Sequence, residues 1–238
     1  MIGLGTAINI GLIIAGSLCG LAFGRFMKEN LKQTLMVVSG IIVLLLGMSG
    51  AMQYMLVIVN GTLQTTGPML MIISMVAGAV IGELIDLNRW ITVFGDWVKA
   101  KTGNTGDPQF THAFITASLT FTVGAMGVLG SIQDGLTGNY QTLLLKGILD
   151  GIIVMVMVSS MGKGALFSFI PVGITQWIIT AMAHIAAPLM TPSAIDNLSY
   201  VGSILIFCVG IDLIWPGKIR IANLLPAIFV AMGLTFLL

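Results

Sequence analysis

Residues 4–24 read LGTAINIGLIIAGSLCGLAFG, and residues 25–32 continue as RFMKENLK. The first segment carries no charge and has the length that one α-helix needs to cross about 30 Å of hydrocarbon at 1.5 Å per residue. Arg25, Lys28 and Lys32 follow the apolar run, whereas a cleaved signal peptide carries its basic residues ahead of it, so the order predicts a retained first span. Gly16, Gly20 and Gly24 recur every fourth residue on one helix face, where small residues let another helix approach closely. Asn9 places an amide in the outer third of the same span, at a depth where lipid offers it no partner.

The whole chain repeats this character. Of 238 residues, 57% are hydrophobic and 8% charged, and the mean hydropathy is +1.05. Soluble domains carry about 25% charged residues, so this chain could not cover its surface in water. The expectation is an all-α, polytopic membrane helix bundle forming one transmembrane domain over residues 1–238. The longest polar stretch, between Asp86 and Pro108, is too short for a core of its own. A net charge of +1 leaves no nucleic-acid footprint. Cys19 and Cys208 lie in separate apolar runs with no ligands nearby, the pattern of packing residues and not of a disulfide or metal site.

Eight segments are long and apolar enough to span: 4–24, 34–58, 68–86, 111–131, 143–162, 165–188, 198–215 and 221–238. With both termini outside, the cytoplasmic loops hold Arg25, Lys28, Lys32, Arg89, Lys99, Lys101, Lys163, Lys218 and Arg220. That is nine of the ten basic residues, with Lys146 alone on the other side. Such a bias follows the positive-inside rule and supports both the count and the direction. In the loop after the third span, Trp90, Ile91, Phe94 and Trp97 recur at helical spacing, predicting an amphipathic helix over residues 87–101 in the cytoplasmic interface.

Residues 38–49, VSGIIVLLLGMS, match 201–212, VGSILIFCVGID, in spans that run in opposite directions, as in an inverted-topology repeat. Pro68 and Pro226 extend the parallel. Ser74, Gly78 and Gly82 form a second small-residue ladder.

Polar side chains inside the bilayer are costly, about 2.5–3.5 kcal/mol for a central aspartate, and so mark candidate sites. Asp150 is the sharpest, with Lys146 four residues earlier on the same helix face. Gln176 falls near the middle of the sixth span, and Asp134 ends the fourth. Asp212 precedes the Pro216–Gly217 turn, where Lys218 and Arg220 are the expected partners and Asn223 the expected cap of the next helix. His112 and His184 fall near opposite ends of the bundle and suggest no shared metal. GMSG at 47–50 resembles the serine motif of intramembrane proteases, but no base is placed beside Ser49.

The stretch 118–139, SLTFTVGAMGVLGSIQDGLTGN, is the least regular. Glycines at 124, 127 and 130 step by three and drift around the helix, and each weakens a helix interior by roughly 1 kcal/mol. We expect a helix from about His112 that loosens between Gly124 and Gly135, bringing Asp134 close to Asp150. Pro171 falls within the sixth span.

This run, with KGILDGIIVMVMVSSMGKGALFSFIPVGITQ, GIDLIWPGKIRIANLLPAI and GAVIGELIDL, resembles the bacterial domain-of-unknown-function family 554, the YqgA/YdfK-like membrane proteins. The resemblance implies a multi-pass protein of the bacterial cytoplasmic (inner) membrane. It implies no substrate, cofactor or catalytic residue.

The residues themselves point to a transporter or channel for a small polar solute or ion. Its pathway would involve Asn9, Gly124, Gly127, Gly130, Asp134, Asp150, Gln176 and Asp212. A non-transporting scaffold, sensor or accessory subunit is the alternative. No nucleotide, metal or nucleophile constellation suggests an enzyme, and no cofactor is expected. The partners expected are the lipid bilayer, a small solute or ion, and further copies of the chain through its small-residue faces.

Overall fold

The computed structural model describes residues 1–24, 26–122, 125–186, 188 and 191–236. Helices α1 (Leu4–Gly24), α2 (Glu29–Met55) and α3 (Pro68–Ile85) come first, and α4 (Leu87–Lys101) follows. Helices α5 (Phe110–Thr122) and α6 (Ala125–Thr137) come next, then α7 (Gln141–Met161). A 3-10 segment (Lys163–Ser168) leads into α8 (Phe169–Ala181) and α9 (Ala183–Ala186). The chain closes with α10 (Pro192–Ile214), α11 (Ile221–Leu224) and α12 (Pro226–Leu234). Among the described residues, six helical segments are long and apolar enough to cross a membrane, and α5 and α6 together add a seventh that is bent by 60°. Residues Ile221–Leu234 form a shorter apolar helix. The chain is therefore a polytopic helical membrane protein.

Several boundaries follow directly from local chemistry. Proline opens α3, α10 and α12, where its missing N–H costs nothing. The Thr191 hydroxyl accepts from the Ala194 N–H at 3.2 Å and caps α10. Asp86, at φ 53°, makes the left-handed corner between α3 and α4.

The structure corrects three expectations. The second span ends at Met55, and the apolar residues after it form strand β1 (Leu56–Val59), paired antiparallel with β2 (Thr62–Thr65). Asn60 and Gly61 both have positive φ, as a two-residue turn between twisted strands requires. The sixth span is divided into the 3-10 segment, α8 and α9, and Pro171 sits in the first turn of α8. In the fourth, helix α6 runs unbroken through Gly127, Gly130 and Asp134, at 60° to α5. Gly124 itself lies outside the described residues.

Two glycine ladders set how the helices pack. A Cβ on Gly16 would stand 2.1 Å from the Gly151 carbonyl oxygen, and one on Gly20 would stand 2.3 Å from that of Met155. These contacts advance together along α1 and α7, so the two helices run parallel with their backbones touching. On α3, Gly78 meets Ala227 and Gly82 meets Asn223, so α3 and α12 run antiparallel. Helices α2 and α10 are likewise antiparallel, with Gly47 against Phe207 and Gly210 against Leu44. The bundle thus has one group built on α1 and α7, joined by α5, α6 and α8, and another built on α2 with α10 and α3 with α12.

A side chain cannot enter the α1–α7 contact without separating two backbones. Gly16→Val is expected to destabilise the protein by about 3 kcal/mol or more. Gly11→Ala, whose Cβ would meet open space, should be neutral or stabilising by up to about 1 kcal/mol. Thermal unfolding of the purified variants in detergent checks both; equal melting points would refute the interlock.

Candidate functional site

The groups of interest gather toward the end of the bundle that carries the β-hairpin. Lys146 and Asp150, one turn apart on α7, form a buried ion pair, with only 7% and 6% of their surfaces exposed. Gly147 and Gly151, on the neighbouring positions, rest against Asn9 and Leu12 of α1, so this stretch of α7 is held against α1. Asn9 is fully buried next to Asp150 but makes no well-formed hydrogen bond, and both its amide atoms lack a partner among the described residues. Gln176 of α8 is in the same condition: it is 3% exposed, and neither side-chain atom is satisfied among the described residues. Gly127 of α6 keeps a gap between them. A Cβ there would lie 3.4 Å from Lys146 Cε and 4.0 Å from Gln176 Nε2. Four helices, α1, α6, α7 and α8, therefore converge on one ion pair and two amides.

In front of that pair is a pocket of about 300 Å3. Lys146 and Asp150 line it from α7 and Thr120 from α5, while Tyr54 from α2 and Ser199 and Ser203 from α10 face them. It lies on the seam between the α1–α7 group and the α2–α10 group. Buried amides left unpaired cost about 1–3 kcal/mol each in a protein interior. Such a cost is commonly met where a polar ligand completes the hydrogen bonds, and the arrangement offers both donors and acceptors to one.

The remaining residues singled out from sequence fall elsewhere. Asp134 is fully buried, and its Oδ2 accepts the Gly5 N–H at 3.0 Å, satisfying one open donor at the start of α1. Its other oxygen has no partner among the described residues. Asp134 meets α1 at Gly5 and Asp150 lies by Asn9, one turn further along that helix. Gly130 packs on Leu143, and Gly135 on the Thr180 carbonyl, so both are packing positions on α6.

Asp212 is placed at the opposite, α4 end. Its Oδ1 accepts the Gly217 N–H at 2.8 Å, and its Oδ2 stands 3.4 Å from His112 Nε2. Neither expected cation pairs with it, because Arg220 is drawn to Glu83 at 3.2 Å. Asn223, expected to cap its own helix, accepts the Asn88 N–H at 2.6 Å and so serves the start of α4.

Sequence reasoning left out the pocket's far wall. Ser199 and Ser203 are four apart on α10, and that helical spacing was the available signal. Both hydroxyls, however, also donate to carbonyls one turn back, as serines in helices ordinarily do.

The family profile described as "Protein of unknown function (DUF554)" matches residues 4–236. The chain is 27% identical over 235 residues to the "Uncharacterized membrane protein YdfK" of Bacillus subtilis (strain 168), across 98% of this chain and 96% of that protein. It is 24% identical over 240 residues to the "Uncharacterized protein YqgA" of Escherichia coli (strain K12), across 98% of this chain and 96% of that one. No solved structure matches.

The ion pair is expected to show strong coupling. Lys146→Met alone leaves a buried carboxylate without its partner and should cost about 3–5 kcal/mol. Adding Asp150→Leu should recover most of that loss. A double-mutant cycle of melting measurements in detergent checks this; additive losses would show that the two groups do not depend on each other.

Proposed function

This chain belongs to the DUF554 family, and we propose that it is a transporter or channel for a small polar solute or ion, with its binding site in the pocket over Lys146 and Asp150. The observation that carries the reading is the pocket itself, which meets a buried ion pair backed by two unpaired amides. A polar group at membrane depth is tolerated where it faces protein or an aqueous cavity. A site holding one cation, one anion, and amide donors and acceptors suits a solute that both gives and takes hydrogen bonds. Asn9 and Gln176 would complete it from behind, and Gly127 would leave room for them.

The helix directions support an eight-crossing topology, and the placement of lysine and arginine supports both termini outside a bacterial cytoplasmic membrane. Parallel α1 and α7 require an even number of reversals between them, which holds if α5 and α6 together make one full crossing. Antiparallel α2–α10 and α3–α12 agree with the same numbering and with an inverted repeat of these pairs. On this reading the hairpin faces outward and α4 lies along the cytoplasmic interface, with Trp90 and Trp97 exposed on one side. Residues Ile221–Leu234 form the eighth crossing, about 21 Å long.

Purified protein in liposomes should pass at least one member of a panel of protons, Na+, K+, urea and glycine. Asp150→Asn should slow that flux by about tenfold or more. A thiol at Ser203→Cys should react with a membrane-impermeant methanethiosulfonate added outside intact cells. A dry scaffold or accessory subunit predicts no flux and no reaction, and that pair of results would overturn the proposal. Alkaline phosphatase fused to the C-terminus should be active, as an outside terminus requires; an inactive fusion would remove the eighth crossing.

A further inference from the structure

A second pocket, of about 370 Å3, lies on the same seam at the α4 end. It reaches Thr116 and Leu119 of α5 and Asp212 of α10, while the hairpin-end pocket reaches Thr120 of α5 and Ile206 of α10. Their linings meet on α5, at Leu119 and Thr120, and stand about 9 Å apart along α10. The septum between them on α10 is apolar. Val209 is buried there and belongs to one hydrophobic cluster with Leu119 and Leu213, which border the second pocket's end. On α5 the Thr120 hydroxyl donates to the Thr116 backbone carbonyl at 2.8 Å.

His112 and Asp212 face each other across this pocket from the two different helix groups, α5 on one side and α10 on the other. The other charged groups nearby are engaged or turned elsewhere. Arg220 lines the pocket but pairs with Glu83, and Asp96 of α4 accepts from the Thr111 hydroxyl at 2.6 Å. Lys163 of the 3-10 segment lines a different pocket, with Asp107. Helix α8 contains no titratable residue, and α7 contributes only Lys146 and Asp150, at the other pocket.

We propose that the two pockets are the two ends of one proton route, with Asp150 the outer station and the His112–Asp212 pair the cytoplasmic one. This deepens the transport reading and rests on it. Imidazole can accept and release a proton at Nε2, and His112 and Asp212 both line the second pocket, so the inner pair can exchange a proton with water there. Two facing groups suit a proton better than a metal ion, and among the described residues no three His, Cys, Asp or Glu side chains cluster. A closed apolar septum holds back hydrated ions, whereas a proton needs only a transient file of water to hop across it. The inward sequence has a simple balance. Asp150 takes a proton from outer water and gives it up across the septum, His112 Nε2 accepts that same proton as imidazolium, and the imidazolium releases it to cytoplasmic water, so both groups return to their starting charge. No group changes oxidation state. Because the pair bridges the two helix groups, charging His112 also strengthens the attraction that holds the inner end of the seam together.

The test uses the full chain in liposomes loaded with a pH-sensitive dye, with a valinomycin potassium potential, interior negative, as the driving force. Wild type should acidify the lumen without any second solute. His112→Gln and Asp212→Asn should each slow this by at least about tenfold, as should Asp150→Asn. Leu119→Ala, which thins the septum and touches no titratable group, should speed it severalfold. Gly11→Ala should leave it unchanged. Should His112→Gln fail to fold, an unaltered rate in Leu119→Ala is sufficient to overturn the route. No proton entry in wild type, or entry of Na+ in its place, overturns the proton proposal. In that case flux of Na+ or another solute, or reaction of the Ser203→Cys thiol from outside, leaves the transport reading standing, and the absence of both removes it as well.

Discussion

The carbonyl of Gly151 stands where any side chain at residue 16 would have to be. In lipid the hydrophobic effect does not drive helices together, so association depends on van der Waals contact and on whatever hydrogen bonds the helices can share. Backbone-to-backbone approach is the densest form of that contact, and only glycine permits it. The ladder at Gly16 and Gly20 fastens α1 to α7, and a similar set fastens α2 to α10 and α3 to α12. With these pairs closed, less intimate packing is left to the seam between the two groups. Both pockets lie there.

Each buried carboxylate meets its cost of burial in a different way. Asp150 has a lysine on its own helix, Asp134 has a backbone N–H at the start of α1, and Asp212 shares a turn N–H and a histidine. The Asp134 arrangement secures the end of a helix and leaves the group away from both pockets. The other two border cavities on the seam, and each is joined there by a second titratable group. Burial alone therefore does not distinguish the three; the space in front of them does.

Much of the architecture was legible in the sequence, because membrane depth imposes a length and an apolarity on every crossing. Helices stand over Leu4–Gly24, where an uncharged run is closed by cations, and over Leu87–Lys101, where aromatic residues recur at helical spacing. Asn60–Gly61 was a hairpin signal within reach, hidden because Leu56–Val59 is apolar enough to look like more of α2. Gly127 and Gly130 suggested weakness within the fourth span, yet α6 is continuous through both, with Gly130 packed on Leu143. Asp212 was assigned to the nearest cations in sequence, and its actual partner lies a hundred residues earlier, on α5.

Composition, span length and the placement of lysine and arginine depend on one segment at a time meeting the bilayer, so the sequence by itself determined that the chain is a polytopic helical membrane protein. It also marked Asn9, Asp150 and Gln176, since polar groups at such depth are costly wherever they end up. Only the tertiary structure decided which of them share a site. Asp134 and Asp150 both lean on α1 but at different levels, Ser199 and Ser203 come to face Lys146 from another helix group, and His112 comes to face Asp212. Those meetings depend on the rotation and relative height of helices far apart in the chain. Rotation and height are set by which glycines touch, a property of pairs of helices that no single stretch of sequence carries.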